Sequence, residues 1–225
     1  RKQAKITLQR CQEQLPNASS LKEQQLYSTI KHLKKQIVKL FLSDINKVKN
    51  LLDLYGMNWI QAKGEADELC AALVNSNTVY ACLSEDTDMF ALGISRVLKY
   101  FSLIHHTCVM YQTDVILENL DLELDDFRHL CIISGTDYNK QMGNIFTFYT
   151  FYTRFKQTSE TDFLKWLGGK YISMQNYYKI QDIQQHYVIQ PSHILQQYKY
   201  IPIRNRVIQM EKLKNFLKTQ NFMFC

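Results

Sequence analysis

The sequence predicts an α/β fold: a mostly parallel sheet with flanking helices, followed by a mainly helical C-terminal part. The first indication is the run 78-TVYACL-83, which is apolar on both faces, as strands covered on both sides of a parallel sheet are. The second is the helical hydrophobic pattern on either side of that run. The third is a change near residue 140, beyond which Tyr, Phe, Gln and Thr dominate and carboxylates become rare.

The first 55 residues have the pattern of helices. Two amphipathic helices are separated by 16-PNASS-20, where Ser20 is suited to cap the second one. The pattern continues to Gly56, which lies where a C-terminal cap belongs. Apart from its apolar side, the second helix carries a stripe of lysines: Lys31, Lys34, Lys35 and Lys39. A solvated helix face and a phosphate-binding face both explain such a stripe.

Shorter elements follow in the centre of the chain. The patterns predict a helix from Glu65 to about Val74, strands at 96–101 and 108–112, and a helix over 125–134. Close to the C-terminus, 207–217 has the pattern of an amphipathic helix. We therefore divide the chain into a helical region 1–55, a central region 56–139 and a helical C-terminal part 140–225.

Composition excludes several classes of protein. The chain has 225 residues, of which 46% are hydrophobic, enough for one large domain or two small ones. No apolar run approaches the roughly 18 residues of a membrane span, and no signal-peptide pattern opens the sequence. Six cysteines without a CxxC pair are typical of a reduced, intracellular protein. Because the sequence opens on Arg1 within a helical pattern, we expect it to be part of a longer protein.

Carboxylates recur at the ends of the predicted central elements. Glu65 and Asp67 begin a helix, Asp86 and Asp88 follow the apolar strand, and Asp137 follows the next long helix. Each has an ordinary explanation by itself, in the first turn of a helix or in a loop. Together they lie at the ends of elements that meet at one edge of the predicted sheet. Open α/β sheets bind ligands at this edge, so we expect the acids to converge there.

Converging carboxylates repel one another unless divalent cations neutralise them. The candidate ligands are all hard oxygens, without a histidine or cysteine at metal spacing nearby, which favours Mg²⁺ or Mn²⁺ over zinc. An EF-hand is excluded, because 86-DTDMFALG-93 lacks an oxygen ligand at its fifth position and glycine at its sixth. Two hard cations roughly 4 Å apart are the arrangement that hydrolyses phosphodiesters. The net charge of +6 and the lysine stripe suit a nucleic-acid partner.

Three segments strongly resemble the internal nuclease region of the flap endonuclease family, in the same order and spacing. They are 64-GEADELCAALV-74, 79-VYACLSEDTDMFALG-93 and 127-FRHLCIISGTDYN-139. The resemblance runs from about Arg1 to about Asn139, with weaker similarity to the end. It implies a PIN-like 5′ nuclease core whose N-terminal part is absent here. It also implies cleavage of branched or 5′-flap DNA, as an endonuclease and a 5′–3′ exonuclease, in replication and repair.

The resemblance also implies roles for single residues. Glu65 and Asp67 would hold one Mg²⁺ ion, with Mn²⁺ as a possible substitute. The second ion would be held or oriented by Asp86, Asp88 and Asp137. Gly135 would let the backbone approach DNA. The arch over the single strand would include Lys31, Lys34, Lys35 and Lys39.

The sequence departs from the family pattern at three points. Asp67 stands where the family usually has Glu, a change after which we expect metal binding to survive. The family's N-terminal strand and further metal-binding aspartates are absent, so we expect this chain alone not to cut. The family's Gly-Ile-Gly turn is replaced by 142-MGNIFTFYTFYTRF-155, which contains only Gly143.

The aromatic stripe in that last segment, at Ile145, Phe148, Tyr149 and Tyr152, predicts a helix packed into the core rather than a base-stacking platform. Two alternatives to the nuclease stay open: a non-catalytic nucleic-acid-binding module and an RNA-directed nuclease. We find no sliding-clamp motif and expect no membrane partner. The expected location is intracellular, in the nucleus of a eukaryotic cell or at a viral replication site.

Overall fold

A computed structural model describes residues 2–17, 20–37, 40–198, 201 and 206–222. Its contacts form two compact units, one of Arg1–Trp59 with Arg204–Cys225 and one of Ile60–Ile203. The second unit runs through the predicted boundary near residue 140, and the predicted domain limits stay predictions. No helix in the described ranges is both long and apolar enough to cross a membrane.

Helices dominate the described residues. The strands are β1 (Cys82–Leu83), β2 (Arg96–Ser102) and β3 (Thr107–Gln112). The helices are α1 (Lys2–Gln14), α2 (Ser20–Ile37), α3 (Leu42–Leu54), α4 (Ala66–Asn75), α5 (Asp88–Ala91), α6 (Thr113–Leu120), α7 (Leu124–Ser134), α8 (Ile145–Phe155), α9 (Phe163–Gly168), α10 (Met174–Gln185), α11 (Pro191–Leu195) and α12 (Met210–Thr219).

The first unit consists of α1, α2, α3 and α12. Helix α1 contacts α2, which buries Leu26, Ile30 and Leu33 at the predicted helical spacing. Helix α3 ends at Leu54 with Tyr55 as its C-cap residue, and the predicted Gly56 follows with a left-handed φ of 74°, which favours glycine. The Gly56 carbonyl accepts a hydrogen bond from the Arg206 amide at 2.7 Å, and this bond joins the end of α3 to the segment before α12.

The second unit contains a mixed sheet in the order β1-β2-β3. Strands β1 and β2 are parallel, and β2 and β3 are antiparallel. The two strands predicted at 96–101 and 108–112 are confirmed. The described sheet has one parallel and one antiparallel pair, where a mostly parallel sheet was predicted.

The apolar run 78–83 forms a shorter strand than predicted. Only Cys82 and Leu83 belong to β1. Tyr80 and Leu83 are 67% and 55% exposed, although we expected this run to be covered on both sides. The physical reason is position: β1 is an edge strand of the described sheet, so it has a pairing neighbour on one side only.

Helices from both sides of residue 140 share one hydrophobic core. The helical pattern of α4 predicts that Ala66, Leu69 and Leu73 lie on its buried side; Leu69 and Leu73 are buried, whereas Ala66 in the first turn is exposed. Helix α8 carries the predicted aromatic stripe and buries Phe148 and Tyr152 within that core. Helix α10 contacts α7 and α9, and α11 contacts α4. The C-terminal helices are thereby packed beside the elements that carry the acids.

Candidate functional site

The predicted acids lie at the ends of three neighbouring elements. Glu65 is the N-cap residue of α4, and Asp67 lies in the first turn of that helix. Asp86 and Asp88 follow β1, and Asp88 begins α5. Asp137 lies in the loop after α7. Acids near helix N-termini also complement the helix dipole, which makes these positions locally favourable for carboxylates.

These acids surround one small cavity of about 60 Å³. Four of the five predicted carboxylates line it, and the charge of the fifth, Asp86, acts on Asp67. Asp86 accepts a hydrogen bond from the Asp88 amide at Oδ1, at 2.9 Å. The cavity is lined by Glu65, Asp67, Glu68, Asp88, Leu92, Asp137, Tyr138, His186 and Tyr187.

Four of the acids act on the charge of the fifth, Asp67. Partial burial raises the pKa of Asp67 above its ordinary value, and the negative charges of four other carboxylates raise it further. In decreasing order of effect these are Asp86, Glu65, Asp88 and Asp137. The structure therefore brings the other four predicted acids within electrostatic reach of Asp67.

The donor chemistry of the cavity fits a hard divalent cation. Its acidic side chains offer carboxylate oxygens, which Mg²⁺ and Mn²⁺ prefer, and they concentrate negative charge around a small space. Among the described residues, however, no group of three or more His, Cys, Asp and Glu side chains lies at ion-holding geometry. The assignment of individual acids to individual ions therefore stays a prediction.

Two hydrogen bonds hold the Asp88 carboxylate. Its Oδ2 accepts from the Tyr187 hydroxyl at 2.6 Å and from the Asp137 amide at 3.3 Å. The Tyr138 ring contacts Tyr187 edge-on at 5.7 Å and stacks on His186 at 4.5 Å. Burial, together with the hydrogen bond to Asp88, raises the pKa of the Tyr187 hydroxyl, which therefore remains a donor at neutral pH.

A tight loop presents Asp137 and Tyr138. The backbones of Thr136 and Asn139 exchange two hydrogen bonds, of 3.2 and 3.1 Å. Asp137 and Tyr138 lie between them, at the tip of the loop. The Asn139 side chain donates to the Ile132 carbonyl at 2.7 Å and ties the loop to α7. Gly135 precedes the loop with a φ of 105°, a conformation that residues other than glycine rarely adopt. The contact of Gly135 with DNA stays a prediction.

The predicted DNA-binding lysines belong to the other compact unit. Lys31 and Lys34 are exposed on α2. The side chain of Lys35 and the whole of Lys39 lie outside the described residues. A role in binding phosphates stays a prediction for all four.

Five residues that line the cavity were not predicted from the sequence: the apolar Leu92 and four residues with polar side chains. Glu68 could have been found, because it lies one turn from Glu65 on the same face of α4. Tyr138 adjoins Asp137, but nothing in the residue pattern distinguishes it from a core tyrosine. His186 and Tyr187 come from the end of α10, and no local pattern links them to the acids.

Glu85 is the acid that the structure turns elsewhere. Its Oε1 accepts a hydrogen bond from the Tyr100 amide at 2.7 Å, at an irregularity in β2. It does not line the acidic cavity, although it is the neighbour of Asp86 in the chain.

Comparison with known sequences gives a family match for the acidic region. Residues 56–137 match the family model of the XPG I-region. Flap endonuclease 1-B of Oryza sativa subsp. indica is 35% identical over 119 residues, which cover 52% of this chain and 29% of that protein. Flap endonuclease 1 of Entamoeba histolytica is 32% identical over 178 residues, which cover 77% of this chain and 46% of that protein. The chain thus spans less than half the length of these relatives.

Comparison with solved structures supports the fold. Flap endonuclease-1 from Methanococcus jannaschii has a TM-score of 0.64 at 20% identity, covering 92% of this chain and 61% of that one. The catalytic core of Rad2 in complex with DNA substrate has a TM-score of 0.62 at 22% identity, covering 83% and 67%. At these identities the likeness concerns the fold alone, and it confirms the predicted α/β nuclease-like architecture.

Proposed function

Because the chain belongs to the flap endonuclease family, we propose that the protein containing it is a structure-specific 5′ nuclease. It hydrolyses phosphodiester bonds of branched and 5′-flap DNA with two divalent cations, Mg²⁺ or Mn²⁺, during replication and repair. One observation carries this proposal: four carboxylates line a single cavity, and a fifth lies within electrostatic reach. The chain spans less than half of its relatives, so the activity is proposed for the complete gene product.

The five acids have proposed places in this reaction. Glu65 and Asp67, from the start of α4, hold one cation. Asp86, Asp88 and Asp137 hold or orient the second. Bound cations supply charge neutralisation at the scissile phosphate and a water molecule activated for attack. The protein's part is to fix the ligand oxygens, and the hydrogen bonds to Asp88 and from its amide to Asp86 do so in this site.

Branched DNA is the proposed substrate. A solved structure of the Rad2 catalytic core is a complex with DNA substrate, and one of human GEN1 is a complex with Holliday junction DNA. In this chain, exposed Lys31 and Lys34 on α2 add positive charge suited to phosphates, which gives affinity without reading sequence. The protein would then act where cellular or viral DNA is replicated and repaired.

The test is cleavage of a 5′-flap DNA substrate by the complete gene product in Mg²⁺. The Asp86→Ala variant should cleave at least about 100-fold more slowly than the parent protein. Even changes to residues that only orient metal ligands cost up to roughly 100-fold, and Asp86 is a proposed ligand. Glu85→Gln is the matched control, because Glu85 faces the Tyr100 amide instead of the cavity. It should cleave at the parent rate. Cleavage that persists in Asp86→Ala would reject the assigned site.

A specific observation favours a second candidate, a nucleic-acid-binding module without catalysis. The described residues contain no group of three ligands at ion-holding geometry. Isothermal titration calorimetry with Mg²⁺ and Mn²⁺ separates the two candidates. Tight binding of flap DNA by the complete gene product, without cation binding or cleavage, would establish the binding module.

Parallel DNA and RNA flap substrates decide between DNA- and RNA-directed cleavage, because the metal chemistry acts on the phosphate and not on the sugar.

A further inference from the structure

Tyr187 reaches the acidic cavity from a distant part of the chain. Its hydroxyl donates to Asp88 Oδ2 at 2.6 Å across a separation of 99 residues. The tyrosine follows α10 and lies well beyond residues 56–137, which match the family model. A short hydrogen bond to a carboxylate is among the stronger kinds in proteins. The contact therefore links the C-terminal helices directly to the proposed cation site.

The hydrogen bond is selective between the two oxygens of Asp88. Both hydrogen bonds that the described residues make to this carboxylate go to Oδ2, one from Tyr187 and one from the Asp137 amide. A carboxylate oxygen with two donors has little capacity left for a cation, whereas the other oxygen keeps its lone pairs. The geometry therefore divides the carboxylate into an anchored oxygen, Oδ2, and a ligand oxygen, Oδ1.

Tyr187 is itself held rigidly. It is only 2% exposed, and its ring contacts the ring of Tyr138, in the loop that presents Asp137, edge-on at 5.7 Å. A hydrogen bond of 3.0 Å between His129 Nε2 and Gln184 Oε1 fixes the end of α10 to α7. A side chain locked in this way can fix the orientation of its partner without a further loss of rotamer freedom.

We propose that Tyr187 is a positioning residue for the cation site: by holding Oδ2 of Asp88, it presents Oδ1 to a divalent cation. The inference rests on the proposed function in one respect, since it takes the acidic cavity to be the place where the cation binds. A buried tyrosine that merely satisfies its own hydroxyl would have no effect on cation affinity, and that difference is measurable.

The experiment uses the Tyr187→Phe variant of the complete gene product, which keeps the ring and its packing. Calorimetry with Mn²⁺ measures cation affinity, and cleavage of a 5′-flap substrate is followed as the Mg²⁺ concentration is varied. We expect the Mn²⁺ dissociation constant to rise about 10- to 100-fold, as for other residues that orient metal ligands. The KM for DNA should be unchanged, and excess Mg²⁺ should restore the cleavage rate.

Tyr149→Phe is the matched control. Tyr149 is also partly buried, and its hydroxyl donates to the Leu120 carbonyl at 3.1 Å, away from the acidic cavity. This variant loses a comparable hydrogen bond without touching a carboxylate of the site. Its Mn²⁺ affinity should equal that of the parent protein, and thermal unfolding of both variants verifies that they are folded.

The outcomes separate the inference from the function on which it rests. If the parent protein binds Mn²⁺ and Tyr187→Phe binds it equally well, the positioning role is overturned while the proposed nuclease stands. A lower unfolding temperature with unchanged Mn²⁺ affinity overturns it too, because the hydroxyl then acts only on stability. If the parent protein binds neither Mn²⁺ nor Mg²⁺, the proposed cation site is rejected, and this inference with it.

Discussion

The acidic half of the second unit, residues 60–139, and its aromatic half, residues 140–198, contribute opposite things to one fold. The acidic half gathers like charges around a small cavity, where they raise the pKa of Asp67. The aromatic half packs large rings together, among them Tyr152, Phe155 and Phe163, with centroids 5.1–5.9 Å apart. The first arrangement opposes folding and the second favours it.

The acids and the aromatic rings come from different stretches of the chain, yet both stretches contribute to one hydrophobic core. The same hydrophobic core contains Ile132 and Ile133 from the acidic half and Leu167 and Ile180 from the aromatic half. Burial in the aromatic half therefore offsets repulsion in the acidic half. Removing a buried ring from the aromatic half and removing a negative charge from the acidic half should therefore change the free energy of unfolding in opposite directions.

The largest expected effect is in the aromatic half. Phe163 is 1% exposed and contacts Tyr152 at 5.1 Å and Phe155 at 5.5 Å between ring centroids. The Phe163→Ala variant should lose about 3–5 kcal/mol of unfolding free energy, because it removes a buried ring and leaves a cavity. Urea denaturation measures the loss. Phe146→Ala is the control. Phe146 lies on α8 and is 77% exposed, so its removal should change the unfolding free energy by no more than about 0.5 kcal/mol.

A smaller effect is expected where the two halves meet. At Gly135, φ is 105° and an added Cβ would lie 3.0 Å from the Gln141 amide nitrogen. Gly135→Ala should therefore cost about 1–3 kcal/mol of stability. Gly169→Ala is the control. Gly169 has a φ of −75°, and an added Cβ would have its nearest neighbouring atom 3.7 Å away, so this change should leave stability nearly unaltered. Equal losses in both variants, measured by urea denaturation, would show that the Gly135 backbone is unstrained.

The smallest effect, of opposite sign, is expected for Asp67→Asn in metal-free buffer with EDTA. Removing one of five repelling charges should raise the unfolding free energy at pH 7 by at most about 1 kcal/mol, because this exposed carboxylate is screened by solvent. The same change should weaken Mn²⁺ binding. Asp182→Asn, on an exposed part of α10, is the control and should leave both quantities unchanged.

The size of this effect depends on pH in a defined way. The pKa of Asp67 is raised in the folded protein, so ionised Asp67 opposes folding above that pKa. On acidification the carboxyl is protonated in the folded state first, and this penalty disappears towards the unfolded pKa of 3.8. The advantage of Asp67→Asn should therefore shrink as the pH falls from 7 to about 4. An advantage independent of pH would contradict the repulsion.

Much of the fold could be predicted because its signals are local. Helix α7 and the antiparallel strands β2 and β3 follow directly from hydrophobic periodicity, and the left-handed Gly56 follows from its place after a helix. The length of β1 could not be predicted in this way. Its apolar sequence indicates burial, but whether a strand lies at an edge depends on which neighbours the tertiary structure supplies.

The candidate site also contains residues that local signals predict and residues that they do not. The five acids could be predicted because each lies at the end of an element whose type is legible in the sequence, and their order resembles a known family. Tyr187 and His186 could not be predicted. They follow an ordinary helix, and only the packing of α10 against α7 brings them to Asp88 and Tyr138.

The long reach of the Tyr187 hydrogen bond also gives the site an order of assembly in time. Ribosomes add about 5–20 residues per second, so the 99 residues between Asp88 and Tyr187 take roughly 5–20 s to synthesise. From the addition of Asp137 onwards, the nascent chain carries all five predicted acids but not yet the tyrosine that anchors Asp88. A chain interrupted between residues 137 and 187 would keep every predicted ligand and still lack the hydroxyl that orients Asp88.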